Sequence, residues 1–81
     1  MHYEALWDGI TQKQREALIA LASEDPTSLF SREFLEKWRL GVSSLQSSLK
    51  ALEKRGVLEK GEQGKYRFDD EFFRLWIVQT P

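Results

Sequence analysis

Leu40-Gly41-Val42-Ser43-Ser44-Leu45-Gln46-Ser47-Ser48-Leu49-Lys50-Ala51-Leu52-Glu53-Lys54-Arg55-Gly56 is the stretch that decides the fold. Val42, Leu45, Leu49 and Leu52 recur three, four and three residues apart, the spacing of one helical face. A helical projection puts Ser43, Ser47, Lys50 and Lys54 on the opposite side, so one face anchors the helix and the other is presented. Ser43 followed by Gln46 matches a capping box, in which each side chain satisfies an orphan helix donor. The helix is expected to run to Arg55 and stop at Gly56. Gly41, just ahead of it, is expected to supply the positive φ of a tight interhelical corner.

Working upstream, Ser31 can cap a helix whose Phe34, Leu35 and Trp38 share a face, and Thr27 to Phe30 is a short β-prone piece. Thr11 and Gln14 form another capping-box pair. They open a helix with Leu18, Leu21 and Ala22 on one side, Ile10 just ahead, and an end near Glu24-Asp25-Pro26. Tyr3 to Gly9 reads as a short lead. Downstream, Val57 to Lys60 and Lys65 to Phe68 read as two short strands around Gly61-Glu62-Gln63-Gly64. Asp69-Asp70-Glu71 then places negative charge at the start of a short apolar helix, Phe72 to Val78.

The order helix, short strand, helix, helix, hairpin, helix defines an α+β class, mainly α. It is a winged helix-turn-helix with a three-helix core, a β-hairpin wing and a short C-terminal helix. Residues 1–81 are expected to form one domain, the size at which one hydrophobic core is affordable. Apolar residues make up 41% of the chain, with three Trp, five Phe and two Tyr, a globular rather than disordered composition.

Enzymatic chemistry lacks its parts. With no Cys there is no disulfide, thiolate metal site or cysteine nucleophile. The sole His, His2, cannot build a triad or a multi-His metal site. Asp69, Asp70 and Glu71 read as helix caps rather than metal ligands, so neither metal nor cofactor is expected. No apolar run approaches the roughly 20 residues that cross a bilayer. The opening Met1-His2-Tyr3-Glu4 does not look like a signal peptide, so a cytoplasmic location is expected.

Leu40 to Leu58, followed by Gly64-Lys65-Tyr66-Arg67-Phe68-Asp69-Asp70-Glu71-Phe72-Phe73-Arg74-Leu75-Trp76-Ile77, resembles the C-terminal winged-helix segment of bacterial and archaeal AAA/STAND-type ATPases. The likeness extends from about Leu6 to about Val78 and implies that the chain is the tail of a longer ATPase. The nucleotide site would then lie elsewhere. Gly56 and Gly61 have the spacing of a phosphate-cradling loop, but Glu62 stands where its Lys must be.

Two functions stay open at this point. Net charge is −1, which disfavours nucleic acid. The distribution says more: residues 1–36 carry −4, residues 37–67 carry +5 and residues 68–81 carry −2. Double-stranded DNA would be met by Ser43, Ser44, Gln46, Ser47 and Lys50 at phosphates and base edges, with Lys54, Lys60, Lys65 and Arg67 adding backbone contacts. The alternative use of Ser43 and Gln46 is the cap itself. No Arg stands on the presented face, so weak or assisted binding is expected rather than stringent recognition. The second function is protein interaction. Six of the seven residues from Phe72 to Val78 are apolar, more than one face can bury. Some of Phe72, Phe73, Trp76 and Ile77 would then meet an ATPase body or a second copy.

Overall fold

The computed structural model describes residues 3–24 and 29–79, with residue 63 described by its backbone alone. Its elements are α1 (Tyr3–Asp8), α2 (Gln12–Ser23), α3 (Arg32–Trp38), α4 (Val42–Lys54), β1 (Leu58–Lys60), β2 (Tyr66–Phe68) and α5 (Glu71–Gln79). A single 3-10 turn, Glu62–Gly64, lies in the hairpin.

The capping box that starts α2 is present. Gln14 N–H donates to Thr11 Oγ1 and Thr11 N–H donates to Gln14 Oε1, both at 3.1 Å. Ser31 caps α3 by accepting from Phe34 N–H. Two helices then end the same way. At the end of α4, Gly56 N–H donates to Glu53 O and Val57 N–H to Leu52 O, around Gly56 at φ 80°. At the end of α3, Arg39 N–H donates to Glu36 O and Leu40 N–H to Leu35 O, around Arg39 at φ 53°. Both are Schellman ends, whose reversal needs one left-handed residue.

This corrects the expectation for the corner. Gly41 sits at φ −85° and the left-handed residue is Arg39. Gly41 instead precedes α4 as its N-cap, so the helix starts at Val42. Ser43 and Gln46 fall inside the first turns and form no capping box, because the cap position is already taken.

Leu18, Leu45, Leu49, Leu52, Leu58 and Phe73 are the large side chains buried most completely, so α2, α4, β1 and α5 share one core. The strands pair antiparallel with Leu58 opposite Phe68, Glu59 opposite Arg67 and Lys60 opposite Tyr66. Period-two alternation turns Leu58 and Tyr66 inward and leaves Arg67 outside. Leu29 and Phe30 lie in a turn, while Thr27 and Ser28 fall outside the described residues.

Tyr3 to Asp8 is a helix rather than an irregular lead. Six residues cannot hold a helix by propensity, so tertiary contacts must. Tyr3 lies 5.2 Å from the Phe73 ring centroid, and Trp7 lies 6.0 Å from that of Trp76. The Tyr3 hydroxyl donates to Asp70 Oδ2 at 2.9 Å, a bond that raises the phenol pKa. Three arginines fasten helix ends. Arg15 Nε donates to Trp7 O, Arg55 Nη1 to Gly9 O and Arg74 Nη1 to Ala22 O. Each puts a cation on carbonyls where a helix dipole is negative or the chain has just left a helix.

Candidate nucleic-acid interface

The buried side of α4 is Leu45, Ser48, Leu49 and Leu52. Everything else at its N-terminal end faces solvent, including Val42, Ser43, Ser44, Gln46, Ser47 and Lys50. Val42 is 50% exposed, which removes it from the apolar anchor to which its spacing assigned it. The reason lies in what flanks the helix. The first turn of α2 (Thr11, Lys13, Gln14) lines a shallow groove along Ser43, Ser44, Ser47 and Ala51. On the other side the hairpin approaches only near the C-terminal end, where the Tyr66 hydroxyl lies 3.5 Å from Glu53 Oε1. Val42, one turn ahead of Gln46 on that second side, is left half exposed.

The outward face is therefore two adjacent rows, each with its members one helical turn apart: Val42 and Gln46 on one edge, Ser43 and Ser47 beside them, with Lys50 and Lys54 continuing toward the C-terminus. Among the described residues, the side chains of Ser43, Gln46, Lys50 and Lys54 have no hydrogen bond or ion pair. The sole carboxylate of α4 is Glu53, near the wing. Next to the helix start, Arg39, Lys13 and Glu16 surround Ser44 in a small cleft, with Lys13 and Glu16 at 3.9 Å.

The wing cations are placed differently. Arg67 is paired across the ladder with Glu59 at 2.5 Å, and Lys60 lies 5.8 Å over the Tyr66 ring. Lys65 is exposed at the start of β2 and is also engaged. Exposed pairs of this kind are worth little. Burial, reinforced by Glu53, raises the Tyr66 phenol pKa. Arg55, inside the basic stretch, belongs to the fold rather than to the presented surface because it holds Gly9 O at 2.8 Å.

Sequence reasoning missed Lys13, Arg39 and the outward placement of Val42. Lys13 reaches Ser44 only because α2 packs beside α4, a long-range contact with no local signal, whereas Arg39 reaches it from the left-handed corner just ahead of α4. Of the four apolar side chains proposed for an interface, Phe73 and Ile77 are buried at 2% and 7% and are core residues. Trp76 is half-buried against Tyr3, Trp7 and Phe73. Phe72 faces out at 73% exposure, and its apolar companions there are Leu75 and Val78. Asp70 accepts from Phe72 N–H at 2.9 Å, and Glu71 pairs with Arg74, so both carboxylates serve the start of α5. Among the described residues no group of three or more His, Cys, Asp or Glu side chains is placed to hold a metal ion. No helix there is long and apolar enough to cross a membrane.

A helix-turn-helix (α3 and α4) whose second helix shows a polar face, followed by a two-stranded hairpin, defines the winged-helix class of binding domain. The family model described as a probable winged helix domain matches residues 1–79, and the chain belongs to that family. No curated protein and no solved structure matches the chain.

Proposed function

We propose that this domain is a non-catalytic DNA-binding module that lays the N-terminal turns of α4 in the major groove. The observation that carries the proposal is the face of α4. It has side chains able to donate and accept hydrogen bonds, two unpaired cations, and no carboxylate before Glu53. That surface suits a hydrated polyanion better than an apolar partner. Lys13 and Arg39 at the helix start, and Lys60, Lys65 and Arg67 on the wing, would meet the flanking phosphates. Membership of a winged-helix family supports the same reading. The resemblance to AAA/STAND-type ATPases supports placing the module as the C-terminal DNA-binding or regulatory arm of a longer cytoplasmic enzyme.

Amide chemical shifts on adding duplex at about 20 mM salt, where electrostatic attraction is strongest, test this directly. Shifts should concentrate in residues 42–50 and in the hairpin. No shift in either region at excess duplex would end the DNA reading.

A second reading rests on α5. Phe72, Leu75 and Val78 leave an apolar strip outside, which in the longer protein would be covered by the ATPase body. Joining this domain to that body should protect the α5 amides from hydrogen exchange. Equal exchange with and without it would remove the reading.

A further inference from the structure

Resting on the DNA reading above, we infer that the face of α4 prefers A·T base pairs, with Val42 against a thymine methyl and Gln46 on an adenine edge. The position of the helix start decides which side chains are available. Because Gly41 is the cap, neither Ser43 nor Gln46 is used in one, and the Gln46 amide is free to present a donor and an acceptor together. In the major groove that pair matches adenine N7 and N6, whereas guanine offers two acceptors, which suit Arg or Lys. Helix α4 contains no Arg. Its first Lys is Lys50, two turns beyond Val42.

Val42 supplies the second half. Val42, a β-branched side chain at the first position of the helix, stands outside the core at 50% exposure. Of the base edges in the major groove, only thymine offers an apolar group to meet it. Val42 and Gln46 stand four residues apart on one side, about 6 Å between Cβ atoms, within reach of neighbouring base pairs stacked about 3.4 Å apart. Ser43 and Ser47 beside them accept or donate to either base, so they do not oppose the preference.

The test is selection from a duplex library randomised at its central base pairs, bound at about 20 mM salt. The expected result is enrichment of A·T pairs, with an affinity advantage on the order of tenfold over a G·C centre. Replacing the contacted thymine by uracil should then cost about fourfold, the worth of one buried methyl. Val42→Ala should cost a similar factor on the thymine duplex and nothing further on the uracil duplex. Gln46→Ala should be likewise insensitive to 7-deazaadenine. A flat or G·C-rich selection would overturn the preference while leaving DNA binding standing. So would an A·T preference indifferent to uracil, because shape would then be the thing read. No retention of any duplex would overturn the DNA reading itself, and the preference with it. Val42 and Gln46 are both exposed, so unchanged thermal melting serves as the folding control.

Discussion

Helices α4 and α5 bury one face each against the same core, yet they leave opposite surfaces behind. Helix α4 hides three leucines and Ser48 and presents hydroxyls, an amide and ammonium groups. Helix α5 hides Phe73 and Ile77 and still leaves Phe72, Leu75 and Val78 outside. A surface that is already solvated costs little to expose and exchanges water for a charged ligand. An apolar strip is costly to expose until something covers it. The two helices therefore report different kinds of contact, and neighbouring residues on each should separate sharply when mutated.

The largest separation should lie within α5. Phe73→Ala should destabilise the domain by about 3 to 5 kcal/mol and Phe72→Ala by close to nothing, as read by urea denaturation. Equal losses for the two would mean that the outer strip is covered in the isolated domain. In α4, Leu49→Ala should cost about 2 to 5 kcal/mol, while Ser47→Ala should leave the melt unchanged and act on duplex binding alone. A melting point for Leu49→Ala within a degree or two of the parent would show that α4 is packed by another face.

Much of this was legible in the sequence because it is written locally. The Thr11/Gln14 box, the Ser31 cap, Gly56 after the third leucine and the hairpin each need only a few adjacent residues. What escaped is non-local. Helix α1 is held by rings from α5 and by the carboxylate of Asp70 just ahead of it, with Tyr3 and Asp70 separated by 67 positions. Six apolar residues among the seven from Phe72 to Val78 do not say that Phe73 turns inward and Phe72 outward, since that depends on where α2 and β2 lie. At the candidate interface, the Ser43/Gln46 pattern was real as a pattern but idle as a cap. A cap is defined by the residue that leaves helical geometry, and that residue is Gly41.

Smaller effects sharpen the contrast on the polar side. Lys50→Ala and Lys54→Ala should each lower the slope of log affinity against log salt by about 1 if each meets a phosphate, with stability unchanged. A slope that does not move would place the duplex elsewhere on the surface. Glu24 sets a still smaller, pH-dependent term. Its carboxylate accepts from Lys37 at 2.9 Å and from the Trp38 indole N–H, tying the end of α2 to α3. The ammonium first, and then the indole, holds its pKa below the ordinary carboxylate value of 4.5. A depressed folded pKa contributes stability that is complete above that ordinary value and is lost as pH falls through the folded one. Glu24→Gln should therefore flatten the acid side of the stability profile. An unchanged profile would assign the acid sensitivity to other carboxylates.

The matched Schellman ends of α3 and α4 bear on how the protein trades foldability against interaction. Gly56 takes its reversal at no steric cost, while Arg39 makes the same reversal with a Cβ in place, at about 1 kcal/mol or more. A chain selected only to fold would carry glycine at both. Arg39→Gly should accordingly raise the melting temperature by a few degrees. It should also weaken duplex binding, because the exposed guanidinium beside Ser44 is lost. A variant that melts higher and binds less would mark this corner as a place where the fold gives up robustness to keep a positive charge at the mouth of the groove-facing helix.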